Sequence, residues 1–70
     1  MTRPDNVQQI AKALYHVSDA MTLLSLSRSV IYEEIRSGRL RSVKRGRSRL
    51  ISAAAIADYV TLLETESRAA

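Results

Sequence analysis

The sequence predicts a small, mainly α-helical domain that carries one β-hairpin. Three observations support this fold class. The chain has 70 residues, which is room for a single domain. Apolar residues recur at helical spacing in several stretches, and two short runs on either side of a glycine are typical of β-strands. Hydrophobic residues make up 46% of the chain, which excludes a wholly disordered protein.

The first fourteen residues are interpreted either as an arm or as a short extra helix. Asp5 is a candidate N-cap, with Gln8 in the capping-box position three residues later. Apolar residues then follow at i, i+3, i+4 and i+7: Val7, Ile10, Ala11 and Leu14. Residues 1–14 are therefore kept apart from the predicted domain, residues 15–63, and from a polar C-terminal tail, residues 64–70.

Two short helices joined by a tight turn are predicted in the centre of the chain. Ser18 is a candidate N-cap of the first helix, and residues 25–27 end it. Ser27 can cap the second helix, residues 28–37, and Gly38 suits the left-handed position that ends a helix. Two helices connected in this way form a helix-turn-helix pattern, in which the second is the recognition helix.

A β-hairpin with a basic tip is predicted after Gly38. Residues 40–43 and residues 48–51 are the two candidate strands, and Gly46 between them can supply the positive φ of a tight turn. The register stays undecided, because the alternation of apolar and polar residues is imperfect. A hairpin beside a helix-turn-helix is a wing, so the predicted fold is a winged helix-turn-helix.

A last helix is predicted after Ser52, which is a candidate N-cap. Its apolar residues recur on one face: Ile56, Tyr59, Val60 and Leu63. The recognition helix should likewise direct Ile31 and Ile35 to the core. Glu34 lies nearer that apolar side, which is unusual for a carboxylate, so we expect it to reach an arginine of the following strand or to extend to water.

Positive charge is concentrated in the middle of the chain. The net charge is +4, from 11 Lys and Arg against 7 Asp and Glu. Residues 28–49 hold eight basic and two acidic side chains, a net +6, and the rest of the chain carries −2. Arginine dominates, and its planar guanidinium suits phosphates and base edges. The alternative is a solvated basic surface, but this concentration favours a nucleic-acid partner.

The composition argues against several other classes of protein. With no Cys and one His, the chain lacks the residues for a thiolate zinc site, a Cys nucleophile or an ordinary Ser-His-Asp triad. Glu33 and Glu34 are adjacent and so point to different helix faces, which excludes a paired acid and base. We expect no enzyme activity, no catalytic or metal-binding residue, no cofactor and no small-molecule ligand. We also expect no membrane span and no signal peptide, and hence a cytoplasmic protein.

Six segments of the chain fall in a familiar order. They are YHVSDAMTLL (15–24), SRSVIY (27–32), IRSGRL (35–40), VKRGR (43–47), LI (50–51) and IADYV (56–60). In this order the chain resembles the excisionase family, small winged helix-turn-helix domains related to the DNA-binding part of MerR regulators. That family includes phage excisionases, which are recombination directionality factors, and AlpA-type prophage regulators.

Three residues depart from the pattern of the family. Ser25 stands where the family often has Gly, Glu34 where an apolar residue is usual, and Ser52 where Pro commonly precedes the last helix. None of the three is a DNA-contact position in the family. The departures concern the geometry of the turn and the local packing.

The resemblance implies that the recognition helix enters the major groove of double-stranded DNA. Its candidate contacts are Ser27, Arg28, Ser29, Tyr32, Glu33 and Arg36. The arginines would bind phosphate or guanine, and Glu33 would accept from cytosine N4, repel phosphate or pair with Arg36. Ser27 is alternatively a cap only, and Tyr32 alternatively packs on the edge of the domain.

The resemblance also implies contacts from the wing and its surroundings. The wing tip would lie along the DNA backbone or in a minor groove, through Lys44, Arg45, Gly46 and Arg47. Three further arginines are expected to position the domain on the DNA backbone: Arg39, Arg41 and Arg49.

The resemblance, the small size and the basic wing together imply an excisionase. Such a protein loads on tandem DNA sites, bends the DNA and directs a phage integrase toward excision. We expect a monomer in solution that self-associates along DNA, with residues 61–70 as the integrase contact. A small phage or prophage transcriptional regulator of the AlpA type is an alternative with the same DNA contacts. A protein-interaction module without DNA binding is an alternative of another class.

Overall fold

The computed structural model describes residues 12–69, so the predicted helix or arm at residues 1–14 lies largely outside the described residues. The described part holds six elements in chain order: β1 (Leu14–His16), α1 (Val17–Leu24), α2 (Arg28–Ser37), β2 (Val43–Arg45), β3 (Ser48–Ser52) and α3 (Ala53–Ala69). It is mainly helical with one small antiparallel sheet, which confirms the predicted winged helix-turn-helix fold. None of its helices is both long and apolar enough to cross a membrane.

The helix-turn-helix consists of α1, a short turn and α2. The predicted bounds of α2 are confirmed: the Val30 N–H donates to Ser27 Oγ at 3.3 Å, and Gly38 ends the helix at φ 85°. The prediction of Ser18 as the cap of α1 is wrong. The chain enters α1 directly from β1, so His16 takes the N-cap position without a side-chain hydrogen bond. Ser25 ends α1 in the left-handed region, at φ 58° and ψ 43°.

The sheet has three strands in the order β1-β3-β2, so β3 lies in the centre. In the register, Tyr15 pairs with Ile51, and Lys44 pairs with Arg49. The pairing of β1 with β3 was not predicted, because β1 is only three residues long and its partner lies far along the chain. The predicted strand at residues 40–43 is wrong in its start. Leu40 is fully buried in the core, and β2 begins only at Val43.

The hairpin turn between β2 and β3 has two residues, Gly46 and Arg47, because Arg45 pairs with Ser48. Gly46 has φ 60°, as predicted, and Ser25 is the one non-glycine residue with positive φ in the described part of the chain. Positive φ at the first central residue alone is the pattern of a type II′ turn, which matches the twist of the strands. The turn therefore projects a compact basic tip.

Among the described residues, seven side chains form the buried core. They are Val17, Ala20, Ile31, Leu40, Ile51, Ala55 and Tyr59. Ile31 is fully buried, and the partly buried Ile35 packs against the cluster, which confirms the predicted inner side of α2. A core of this size leaves little surplus stability, because a domain of about 60 residues buries only about 60% of its unfolded surface.

The last helix is longer than the sequence predicted. The Ala55 N–H donates to Ser52 Oγ at 2.9 Å, so the predicted cap is confirmed. Residues 64–69, predicted as a tail, continue α3, since no Gly or Pro interrupts them. The predicted apolar face packs only over its first half: Tyr59 is buried, whereas Val60 and Leu63 are 39% and 36% exposed.

The left-handed residues at the ends of α1 and α2 should respond to substitution with opposite signs. Ser25→Gly should stabilise the domain by about 0.5–1 kcal/mol, because relief of the left-handed strain exceeds the added chain entropy of Gly in the unfolded state. Gly38→Ala should destabilise it by about 1 kcal/mol. An added Cβ meets no atom within 4 Å, so the loss of stability comes from the positive φ that alanine would have to adopt. Urea unfolding followed by circular dichroism measures both, and a loss of stability in Ser25→Gly would contradict the turn geometry.

Candidate nucleic-acid interface

The recognition helix α2 has one buried side and one exposed side. Ile31 faces the core, and the predicted contacts on the other side are exposed: Ser27, Arg28, Ser29, Glu33 and Arg36. Tyr32 is partly buried and packs against the core cluster, so its ring has the edge position that the sequence left as an alternative. Five of the six predicted side chains thus share one accessible surface with the edge of the Tyr32 ring.

The N-terminal end of α2 is suited to an anion. No acidic side chain lies in its first turn, and Arg28 is its first residue. Ser27 Oγ accepts from the Val30 N–H and lies 3.3 Å from Ser29 Oγ, so the two hydroxyls form one polar surface at the start of the helix. The unpaired N–H groups and the helix dipole place partial positive charge at this end.

The wing tip is exposed throughout. Lys44, Arg45, Gly46 and Arg47 are all accessible to solvent. None of the three basic side chains forms an ion pair within residues 12–69. The wing therefore offers three hydrated charges on a short, stiff turn.

The eight basic residues between Arg28 and Arg49 divide into two groups. Five are exposed and have no hydrogen-bonded partner side chain among the described residues: Arg28, Arg36, Lys44, Arg45 and Arg47. Three contact other side chains of the domain: Arg39, Arg41 and Arg49. The second group is the one that the sequence assigned to the DNA backbone.

Two of the partnered arginines make simple contacts. Arg41 forms an ion pair with Asp58, and both side chains are mainly exposed, at 63% and 71%. Such exposed ion pairs contribute little to the stability of the fold, so Arg41 can readily bind another partner. Arg49 is half-buried and donates to Ser42 Oγ at 2.8 Å, which joins β3 to the chain just before β2.

Arg39 is bound on two sides by carboxylates. Its Nε donates to Glu34 Oε1 at 2.9 Å, and its Nη1 and Nη2 donate to the two oxygens of Glu66 at 2.5 and 2.7 Å. Tyr59 OH donates to the same Glu34 oxygen at 2.7 Å. These four residues are called the Arg39 cluster below. The structure thus places Arg39 in a contact between α2 and α3, where the sequence predicted a charge directed at DNA.

The sequence found part of this cluster. The expectation that Glu34 reaches an arginine is met, although Arg39 lies in the connection after α2 and not in a strand. The roles of Tyr59 OH and Glu66 were missed. A carboxylate on the apolar side of a helix needs hydrogen-bond donors nearby. The position of Glu34 in the sequence therefore indicates that it has such partners, but it does not identify the distant side chains that supply them.

The cluster shifts the acid–base behaviour of its members. Hydrogen bonds from Tyr59 and Arg39 hold the pKa of Glu34 below its ordinary value, and the Arg39 hydrogen bonds lower the pKa of Glu66. Burial, followed by the hydrogen bond to Glu34, raises the pKa of Tyr59 to about 12. The Glu66 and Glu34 carboxylates raise the pKa of Arg39. Both carboxylates are therefore ionised and Tyr59 is protonated at neutral pH.

The fold and this surface define a winged helix-turn-helix domain with a basic, solvent-accessible recognition face. The helix-turn-helix domain family matches residues 14–61, and the chain belongs to that family. The family includes excisionase-like DNA-binding proteins, and membership supports the binding of double-stranded DNA. Comparison with curated proteins gave no match, and comparison with solved structures gave none either.

The Tyr59–Glu34 hydrogen bond predicts how stability depends on pH. Tyr59 has a raised pKa, so its contribution is complete below pH 10 and is lost as the pH rises toward about 12. Glu34 and Glu66 have lowered pKa values, so their contribution is present above 4.5 and is lost as the pH falls below it. Tyr59→Phe should cost about 1–3 kcal/mol at pH 7 and should reduce the alkaline loss of stability.

Thermal unfolding between pH 3 and about 12 measures these effects, with Tyr15→Phe as the matched control, because Tyr15 OH forms no hydrogen bond to the described residues. The control should keep the alkaline loss. An unchanged alkaline loss in Tyr59→Phe would contradict the assignment to Tyr59.

Proposed function

We propose that this protein is an excisionase: it binds tandem sites on double-stranded DNA, bends the DNA and directs a phage integrase toward excision. The observation that carries the DNA-binding part is the group of five exposed basic side chains that have no partner side chain among residues 12–69, distributed over α2 and the wing. Such side chains reach phosphates without first breaking an internal contact. The integrase part is supported by the resemblance to excisionases and by the exposed apolar residues of α3.

In this proposal α2 enters the major groove with its N-terminal end toward the backbone. Ser27 and Ser29 lie with the free N–H groups of the first turn, where a phosphate is bound best. Arg28 and Arg36 bind phosphate or guanine O6 and N7, and Glu33 accepts from cytosine N4. Tyr32 contributes the exposed edge of its ring.

The wing contacts the backbone or a narrow minor groove beside the same site. Lys44, Arg45 and Arg47 supply the charge, and Gly46 allows the close turn that presents them. Arg41 and Arg49 add weaker backbone contacts, since Arg41 forms an exposed ion pair with Asp58 and Arg49 donates to Ser42.

The partner surface of the proposal begins near the middle of α3 and extends toward its C-terminal end. Val60 and Leu63 are exposed there, whereas Tyr59 on the inner side is buried. Apolar side chains on an exposed helix face are the usual anchors for a protein partner. In the proposal this surface contacts the integrase, and neighbouring copies associate along the DNA.

Selection of sites from random duplex DNA, followed by gel shifts, tests the DNA-binding part. We expect direct repeats near helical-turn spacing and a ladder of cooperative shifts. If five phosphates are neutralised, log K should fall with log salt with a slope of about −4.5. Arg45→Gln should reduce the magnitude of this slope by about 0.9, and Arg68→Gln, an exposed charge at the far end of α3, should leave it unchanged.

An excision assay with a phage integrase separates the proposal from its alternatives. The protein should raise excision over integration, and Leu63→Asp should abolish this effect while DNA affinity stays unchanged. A single site or an inverted repeat, with no effect on the integrase, would favour the small AlpA-type transcriptional regulator. No enriched sequence and no shift at low salt would leave a protein-interaction module.

A further inference from the structure

We propose that Arg39 is a positioning residue for DNA binding: it joins Glu34 of the recognition helix to Glu66 of α3 and does not itself contact DNA. This inference rests on the proposed DNA-binding function. It assigns a role in DNA recognition to the last turns of α3, which lie outside the predicted helix-turn-helix and wing.

The recognition helix has a polar attachment in addition to its apolar packing. Ile31 is the one fully buried residue of α2, and Tyr32 and Ile35 beside it are only partly buried against the core. The Arg39 cluster lies at the C-terminal turn of α2, one helical turn beyond Ile31. A polar attachment to α3 at this turn restricts rotation of the helix about its partly buried apolar contacts.

The backbone makes this attachment stiff. The N–H groups of Arg39 and Leu40 both donate to the carbonyl oxygen of Glu34 at 3.0 Å. Gly38 provides the left-handed turn that brings the chain back over the end of α2. Arg39 is therefore bound to the last turn of α2 through both its backbone and its side chain, and a movement of Glu66 is transmitted to that turn.

The contacts of Arg39 also argue against a direct role on DNA. Its Nε and both Nη atoms are directed at carboxylates, and the group of Glu34, Arg39 and Glu66 carries a net charge of −1. A phosphate at this position would meet two carboxylates at close range. The Arg39 side chain is 35% exposed, whereas Arg28, Arg36 and the wing cations are exposed and form no ion pair within residues 12–69.

The test compares variants that change the charge of the cluster in opposite directions. Arg39→Gln removes a positive charge, and Glu66→Gln removes a negative one. If Arg39 positions α2, both variants should lose several-fold in affinity for the selected site, and the double variant should be no weaker than either single one. The slope of log K against log salt should stay at the wild-type value in all three.

The ratio of specific to non-specific affinity provides a further readout. A displaced recognition helix loses base contacts but keeps its charges, so affinity for random duplex DNA should change little. Arg39→Lys should not rescue specific binding, because an ammonium cannot replace the two-sided contact of a guanidinium. Circular dichroism and thermal unfolding establish that each variant is folded at the assay temperature. Glu66→Asp, which keeps the charge but shortens the reach, replaces any variant that is not folded and should lose affinity similarly.

The Arg41–Asp58 pair is the matched control, since it also joins the chain after α2 to a carboxylate of α3 but is exposed. Asp58→Asn should leave specific affinity unchanged or raise it by freeing Arg41. The proposal is overturned if Glu66→Gln raises the affinity or leaves it unchanged, or if Arg39→Gln reduces the magnitude of the salt slope by about 0.9. Failure of the wild-type protein to bind DNA would instead overturn the proposed function.

Discussion

A carboxylate that is four-fifths removed from water has to be neutralised and hydrogen-bonded, and in this domain that carboxylate belongs to Glu34 (19% exposed). It lies between the recognition helix and the last helix. Tyr59 and Arg39 supply its donors, and Arg39 in turn binds Glu66. One partly buried charge thus ties α2, the connection after it and both halves of α3 into a single arrangement. The contact between the C-terminal turn of α2 and α3 depends on that arrangement.

The same requirement sorts the basic residues. Arg39 binds the carboxylates of Glu34 and Glu66. Arg41 forms an exposed ion pair with Asp58, and Arg49 donates a hydrogen bond to Ser42. Of the eight basic residues between Arg28 and Arg49, the five without partner side chains among the described residues lie on α2 and at the wing tip. Unpaired charge on a rigid frame attracts a polyanion without loss of internal contacts. A charge count along the sequence cannot make this distinction, because it treats all eight basic residues alike.

The sequence correctly predicted the ends of those elements that are set by capping residues and glycines close by in the chain. Ser27 and Gly38 define α2, and Gly46 defines the hairpin turn, because capping and positive φ act within a few residues. The errors arise where distant parts of the chain meet. His16 takes the cap position of α1 because β1 pairs with β3, and Leu40 is drawn from the predicted strand into the core. Likewise, the role of Arg39 is set by Glu66, which lies 27 residues further along the chain.

The central claim is that the unpaired arginines bind DNA while Arg39 holds the recognition helix in place. Titration of arginine-labelled protein with the selected duplex, observed through the side-chain Nε–Hε resonances by NMR, tests it most directly. We expect large shifts for Arg28, Arg36, Arg45 and Arg47, together with an Arg39 resonance that stays protected from exchange and nearly unmoved. Movement of the Arg39 resonance as large as that of Arg45, or no movement of the wing and α2 resonances, would contradict it.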